Sequence, residues 1–288
     1  MTDQAAPDDR NTDSYAGVAS IYERAWTVPA SIPLLNLFDR LLASHGPLVY
    51  PPRILELACG TGFLLRRARK ALRPDYVVGV DISNDMITEA RSIEAEASSM
   101  PDHSLAPIDF LVADCARSIA ALAGQEDEFD FVMANFLFNY AKTEEEMARM
   151  WRNAARYLKP GGKFLATTQS FDAFPVSVRW NKYGMHVTAC EGEDSSTDSI
   201  AAKQKLNFGW PGHFQVEFES FMITDQAIWE RTAAVAGFED LEFHKFGKED
   251  VPLSVRTPEG EKGKDDMGYW SELIEHPFNL IMTARKAR

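Results

Sequence analysis

From residue 53 onward, short apolar runs alternate with longer segments whose apolar residues recur at helical spacing. The runs are close to continuously apolar, which is typical of strands buried on both faces of a sheet. Strands that alternate with helices need crossover connections and favour parallel pairing. The pattern therefore predicts an α/β fold, with helices on both faces of a mostly parallel sheet. The first predicted strands are 53–57, 76–80, 108–113, 129–134 and 163–168.

Local signals mark the helix that follows the fourth predicted strand. Thr143 and Glu146 have the spacing of a capping box, so we expect a helix to begin there. The helical pattern continues to Leu158, and the sequence Lys-Pro-Gly-Gly at 159–162 is expected to end it. The fifth strand is expected to begin only after these glycines.

The alternation changes after Thr168. Residues 169–222 are rich in aromatic residues, and we interpret them as an insertion over the carboxyl edge of the sheet, with strands at 185–189 and 214–219. The series then resumes with a helix at 224–236, a strand at 241–246, a loop at 247–268 and a last strand at 279–284. The expected organisation is a disordered tail (1–14), an N-terminal helical arm with the core (15–168), a substrate lid (169–222) and the remainder of the core sheet (223–288).

Composition restricts the partners that we expect. The formal net charge is −13, whereas nucleic-acid binding requires basic surfaces. No apolar run approaches the roughly 20 residues of a membrane span, and the polar residues 1–14 lack a signal-peptide pattern. Cys59, Cys115 and Cys190 form an odd, sparse set without zinc spacing. We therefore expect a cytoplasmic monomer or homodimer with no nucleic acid, membrane or metal among its partners.

The segment Ile54-Leu-Glu-Leu-Ala-Cys-Gly-Thr-Gly62 carries the strongest functional signal. A strand ends in a glycine turn from which a helix begins, and open α/β sheets bind ligands in the crevice outside such strand ends. Asp81 ends the second strand about 20 residues after Gly60, a distance that suits a carboxylate bound to ribose hydroxyls. Leu65 occupies the position of the third glycine of a dinucleotide fingerprint, which argues against that alternative.

The order and spacing of several segments resemble class I methyltransferases that use S-adenosylmethionine (SAM). The resemblance implies a Rossmann-like sheet of seven strands whose last strand is antiparallel, and it implies SAM as the cofactor. It is strongest over about residues 15–168. The segments that carry it are 54–63, 78–83, 110–114, 129–135 and 158–164.

The resemblance also implies roles for single residues. The methionine part of SAM would be surrounded by Glu56, Ala58, Gly60 and Gly62. The ribose would be held by Asp81, and the adenine would meet Ile82, Met86, Asp114 and Cys115. The amino group and sulfonium would lie near Asn135 and Phe136. An N-terminal arm would place Tyr15 over SAM, with Tyr22 and Trp26 facing the substrate. Tyr15 and Tyr22 are seven positions apart, as on one helix face.

Methyl transfer from a sulfonium needs alignment and exclusion of water, so a nucleophilic side chain is not expected. A base is needed where the acceptor is a hydroxyl or a protonated amine, and His186 and His213 in the insertion are the candidates. Further substrate contacts are expected from Asn139, Tyr140, Phe171 and Trp210. Aromatic surroundings suit a planar acceptor or a cationic amine.

Three functions remain open at this point. The first is methylation of an oxygen or nitrogen atom of a small, planar metabolite. The second is methylation of RNA or protein, although Asn135-Phe-Leu-Phe stands where an Asn-Pro-Pro-Tyr signature would be expected. The third is a catalytically silent scaffold that binds SAM, because an intact binding site does not establish turnover.

Overall fold

The computed structural model describes residues 15, 17–44, 50–98, 105–171, 180–189, 199–200, 202–257, 260–262 and 267–288. The helices are α1 (Ala19–Tyr22), α2 (Ile32–Ser44), α3 (Phe63–Leu72), α4 (Asn84–Ser98), α5 (Glu144–Tyr157), α6 (Trp180–Tyr183), α7 (Gln226–Val235) and α8 (Met267–Glu275). The strands are β1 (Arg53–Leu57), β2 (Tyr76–Asp81), β3 (Ile108–Val112), β4 (Phe129–Met133), β5 (Leu158–Gln169), β6 (Met185–Ala189), β7 (Ala202–Trp210), β8 (Phe214–Met222), β9 (Phe238–His244), β10 (Val255–Thr257), β11 (Gly260–Lys262) and β12 (Asn279–Lys286).

Seven strands form the main sheet in the order β3-β2-β1-β4-β5-β12-β9. The pairs β1–β2, β2–β3, β1–β4 and β4–β5 are parallel, and β12 is antiparallel to both of its neighbours. This arrangement confirms the predicted Rossmann-like fold. The strand order reverses between β1 and β4, so a crevice opens at their carboxyl ends.

Helices cover both faces of the sheet because its central strands are apolar on both sides. In β1, Ile54 belongs to the hydrophobic cluster that contains α2 and α3 residues, whereas Leu55 and Leu57 belong to the cluster with α5 and α7 residues. All three side chains are fully buried. The described helices include none that is long and apolar enough to cross a membrane.

The transition from α5 to β5 differs from the sequence-based expectation. Thr143 caps α5 by accepting the Glu146 N–H at 3.2 Å, as expected, but the helix ends at Tyr157 and β5 begins immediately at Leu158. Leu158 is fully buried and pairs with Phe129, and the next paired residues are Lys163 and Phe131. The intervening proline and glycines therefore form a bulge inside the strand.

A second, antiparallel sheet of β6, β7 and β8 lies within the inserted region. The sequence predicted β6 and most of β8 but missed β7, whose Lys203-Gln-Lys205 start is polar. It also missed α2 and α8. The arm is not one continuous helix, since Tyr15 lies in a turn and α1 is followed by a 3-10 helix at Glu23–Thr27.

An ion pair between the half-exposed Arg40 and the buried Asp250 joins α2 to the segment after β9. The Asp250 side chain is 2% exposed and accepts hydrogen bonds from Arg40 Nε at 2.9 Å and from Arg40 Nη2 at 2.7 Å. Asp250 Oδ2 also accepts the Gly247 N–H at 2.9 Å. The Asp250 carboxylate therefore holds both the turn that begins at Gly247 and helix α2.

We therefore expect Asp250→Ala to lower the free energy of unfolding by about 1–3 kcal/mol, because it removes the buried acceptor that the Arg40 guanidinium and the Gly247 N–H share. Urea denaturation would measure this loss. Glu249→Ala is the matched control, since that side chain is 62% exposed and lies 3.5 Å from the same guanidinium. The control should change stability by less than about 0.5 kcal/mol. Equal effects of the two variants would contradict the proposed importance of this ion pair.

Candidate active site

A cavity of about 490 Å³ lies at the carboxyl ends of β1, β2 and β4. The N-terminal arm and the second sheet cover it. Fourteen of the residues predicted from the sequence line this cavity, although they come from distant parts of the chain. They are Tyr15, Tyr22, Trp26, Ala58, Gly60, Asp81, Ile82, Met86, Asp114, Cys115, Asn135, Phe136, Asn139 and Tyr140.

The glycine turn after β1 brings backbone close to the cavity. Gly60 has φ +54°, and a Cβ placed there would lie 3.6 Å from the Tyr22 ring. Gly62, by contrast, does not line the cavity. It has φ +80°, and a Cβ there would approach the Phe110 ring to 2.9 Å. Gly62 therefore permits close packing between the start of α3 and β3.

Asp81 holds this turn against the end of β2. One carboxylate oxygen accepts the Gly60 N–H at 2.8 Å, and the other accepts the Ser83 N–H at 2.9 Å. Burial raises the pKa of Asp81, and these hydrogen bonds oppose the rise. The side chain is 7% exposed and lines the cavity, so its orientation is fixed before a ligand binds.

Glu56 lies behind the cavity wall rather than in it, and it is linked to the wall through Asn135. Asn135 donates to Glu56 Oε1 at 2.6 Å and accepts hydrogen bonds from the Thr167 backbone N–H at 3.0 Å and hydroxyl at 2.8 Å. Glu56 Oε2 is buried without a hydrogen-bond partner among the described residues. Burial, with a contribution from Asp81, raises the pKa of Glu56 to about 8 despite the Asn135 hydrogen bond.

The end of β3 supplies the predicted acidic residue and thiol. Asp114 Oδ1 accepts the Ala116 N–H at 2.9 Å, and Oδ2 lies 3.2 Å from Arg117 Nε. Cys115 Sγ accepts the Ala58 N–H at 3.3 Å and so joins this loop to the glycine turn. Burial raises the pKa of the Cys115 thiol, which keeps it protonated.

The arm is held on the cavity by both polar and aromatic contacts. Glu23 accepts a hydrogen bond from the Thr61 hydroxyl at 2.9 Å and forms an ion pair with Arg66. Trp26 stacks on Phe63, with ring centroids 5.2 Å apart and planes at 5°. These contacts anchor the arm directly after Tyr22, whose ring lies over Gly60.

Aromatic rings also form the wall opposite the glycine turn. The hydroxyl groups of Tyr15 and Tyr140 are hydrogen-bonded to each other. Phe218 of β8 packs against Tyr15 and Tyr22, with centroid distances of 6.1 and 5.4 Å. Burial raises the pKa values of Tyr22 and Tyr140, so both phenols stay protonated at neutral pH.

Besides Glu56 and Gly62, four further predicted residues lie outside the cavity lining. His213 is exposed in the turn between β7 and β8, and His186 lies on β6. Trp210 packs against Phe214 with ring centroids 6.0 Å apart, in the cross-strand pair next to that turn. The structure therefore does not bring the two candidate histidine bases or Trp210 into the cavity lining, and their roles stay predictions.

Phe171 is the fourth of these residues. Its ring lies 4.8 Å from that of Phe243 and 6.1 Å from that of Trp229, so it packs between α7 and β9. The described lining of the cavity contains no histidine.

The sequence analysis missed a group of polar residues that line the cavity, namely Gln169, Ser220 and Asn279. Gln169 is the last residue of β5, and Asn279 is the first residue of β12 and its antiparallel partner. In the sequence, the only sign of this group was that Gln169 and Asn279 are polar residues at the ends of otherwise apolar strands.

Comparisons with known proteins agree with this geometry. A family of methyltransferase domains matches residues 54–162. The protein YqeM of Bacillus subtilis (strain 168), described as a methyltransferase, is 31% identical over 241 residues, which are 79% of this chain and 83% of that relative. This chain is a class I SAM-dependent methyltransferase. SAM is accordingly its cofactor.

Two other proteins are also methyltransferases, but the share of their length that matches this chain differs. The mRNA cap guanine-N(7) methyltransferase of Caenorhabditis elegans is 29% identical over 169 residues, which are 58% of this methyltransferase and 44% of that enzyme. A SAM-dependent methyltransferase from Clostridium acetobutylicum ATCC 824 has a TM-score of 0.56 at 14% identity, over 95% of this chain and 99% of that one. The second likeness supports the fold alone.

The raised pKa of Glu56 makes the stability of the ligand-free methyltransferase depend on pH. The pKa rises from 4.5 to about 8 on folding, so in this interval the folded state binds the extra proton. Its free energy of unfolding should therefore fall as pH increases, by at most about 1.4 kcal/mol per pH unit from this group.

We expect Glu56→Gln to remove this contribution, so that the variant gains stability relative to the unmodified protein between about pH 5 and pH 8. Urea denaturation at several pH values would measure the difference. Glu145→Gln is the control, because that side chain is 66% exposed. Parallel pH profiles for the Glu56→Gln variant and the unmodified protein would show that the buried carboxyl is already ionised.

Proposed function

We propose that this methyltransferase moves the methyl group of SAM to an oxygen or nitrogen atom of a small, planar aromatic metabolite. The observation that carries the proposal is the closure of the cavity by aromatic rings of the arm and the second sheet. Tyr15, Tyr22 and Phe218 contact one another there. Flat rings offer a large apolar contact area to a planar ligand.

The residues at the carboxyl edge of the sheet fit SAM. Asp81 has both oxygens fixed by backbone N–H groups and keeps further acceptor capacity for ribose hydroxyls. Ile82 and Met86 would lie against the adenine, and Asp114 would accept its amine with Cys115 beside it. The glycine turn leaves room that a side chain at residue 60 would occupy.

The methionine end of the cofactor would meet Ala58, Gly60, Asn135 and Phe136, with Tyr15 over it. We assign Glu56 a positioning role, because it reaches the cavity through the Asn135 amide. Gly62 would contribute through the packing that sets the start of α3. When bound, SAM supplies an electrophilic methyl group on a positively charged sulfur.

The protein's own contribution would be alignment of the acceptor and exclusion of water. Asn139 and Tyr140, with Tyr22 and Trp26 of the arm, would hold the acceptor. Burial raises the pKa of Tyr140, so this phenol would donate a hydrogen bond to the acceptor rather than remove its proton. A histidine base is not part of this proposal.

An RNA substrate is the second candidate, and the likeness to an mRNA cap methyltransferase favours it. The net charge of −13 opposes it, because contacts with the phosphate backbone supply most of the affinity of RNA-binding proteins. Lys203 is a cation in the cavity lining, but its charge is already balanced by the Glu219 carboxylate at 3.4 Å. A silent scaffold would bind SAM without turnover.

The free, buried thiols of Cys59 and Cys115 support a reducing, cytoplasmic location.

We expect Asp81→Asn to weaken the binding of SAM and of S-adenosylhomocysteine by more than tenfold in calorimetric titrations, because an amide nitrogen cannot accept the Gly60 or Ser83 N–H. Asp85→Asn is the control, since Asp85 is exposed in the first turn of α4. Unchanged affinity in the Asp81→Asn variant would contradict the cofactor placement.

Turnover of labelled SAM with a panel of phenols and heteroaromatic amines would then test the acceptor class. SAM binding without methylation of any panel member, but with methylation of capped RNA, would favour the second candidate.

A further inference from the structure

Four uncharged polar side chains meet where β5 and β12 of the main sheet approach the second sheet. We name Gln169, Gln204, Ser220 and Asn279 the amide cluster. Each is between 3% and 5% exposed. Polar groups at this depth need hydrogen-bond partners, because each unpaired group retains its cost of desolvation.

Hydrogen bonds fix three members of the amide cluster. Gln169 Nε2 donates to Ser220 Oγ at 3.0 Å, and Gln204 Nε2 donates to Gln169 Oε1 and, at 3.4 Å, to the same Ser220 oxygen. The Ser220 hydroxyl therefore accepts two hydrogen bonds from amides. Its own proton has no acceptor among the described residues, so the hydroxyl remains available as a donor.

Asn279, the fourth member, provides the complementary group. It lines the cavity beside Gln169, its partner in the antiparallel register of β5 and β12. Its side-chain oxygen is buried without a hydrogen-bond partner among the described residues. Ser220 also lines the cavity, so an uncommitted acceptor and an uncommitted donor face the same space.

The flat wall of the cavity continues from this cluster. On β8, Phe218 is two residues from Ser220 and therefore points to the same side of the strand. The Phe218 ring packs against that of Phe208, with centroids 5.8 Å apart. Polar and planar surfaces thus adjoin in one end of the cavity.

We propose that the amide cluster is a specificity subsite that recognises a lactam or cyclic amide edge on a planar methyl acceptor. The Asn279 oxygen would accept the N–H of that edge, and the Ser220 hydroxyl would donate to its carbonyl oxygen. A carboxylate or an ammonium group would be excluded, because the four side chains carry no compensating charge. This inference rests on the proposed transfer to a small planar metabolite and names the acceptor class.

Such a site discriminates strongly, because a ligand without the hydrogen-bonding edge leaves its buried polar groups unpaired. The test compares two planar bicyclic probes that differ in the lactam edge. One is a hydroxyquinolinone, whose ring lactam carries an N–H and a carbonyl. The other is the naphthol with its hydroxyl group at the same position.

Calorimetric titrations with S-adenosylhomocysteine present should show the hydroxyquinolinone binding at least about tenfold more tightly than the naphthol. Equal affinities, or no binding of either probe, would overturn the proposed subsite. The titration with S-adenosylhomocysteine alone keeps this result separate from the proposed function: failure of that binding would contradict the cofactor site itself.

Asn279→Leu should reduce the preference for the lactam to less than about threefold and leave the affinity for S-adenosylhomocysteine unchanged. The melting temperature should not fall, since the variant removes an unpaired acceptor. Ser220→Ala should also reduce the preference. Ser170→Ala is the matched control, because the Ser170 oxygen is likewise buried without a hydrogen-bond partner among the described residues, but Ser170 does not line the cavity. Preference retained in both cluster variants would overturn the assignment.

Discussion

The carboxylate of Asp81 is the interaction on which the site depends. Its two oxygens accept backbone N–H groups from Gly60 and Ser83, which belong to the turns after β1 and β2. One side chain thereby fixes the edge of the crevice at the point where the strand order reverses. The arm then packs onto this edge, because the Tyr22 ring lies over Gly60 and Glu23 binds Thr61. The position of the arm and of its aromatic rings is thus set by the glycine turn.

The electrostatics of this edge suit a cationic cofactor. Glu56 and Asp81 are both buried. Both carboxylates raise the pKa of the Tyr22 hydroxyl, and Asp81 also raises the pKa of Glu56. The nearby cation, Arg66, is engaged by Glu23 and by the Thr61 carbonyl. In the proposed binding mode, the positive charge on the sulfur and amino group of SAM would favour the ionised form of Glu56, which the ligand-free protein holds protonated up to about pH 8.

Features that depend on short stretches of sequence could be predicted, and features that depend on long-range register could not. Asp81 and Asp114 were found because each follows an apolar strand directly. The arm contacts of Tyr15 and Tyr22 were also anticipated, although α1 is shorter than the spacing indicated. The amide cluster was missed, because it requires Gln169 to pair with Asn279 and Ser220 with Gln204. His213 and Trp210 lie outside the cavity lining, because the register of β7 and β8 decides which end of the hairpin meets the cavity.

The place of β12 in the sheet has a consequence for the order in which the two halves of the site form. β12 follows every other described strand in sequence, yet it lies between β5 and β9. The turns that carry Gly60, Asp81 and Asp114 need only strands that precede it, whereas the acceptor end needs Asn279. During synthesis the strands that carry the proposed cofactor residues emerge first, and the proposed acceptor subsite can be completed only when β12 has paired with β5.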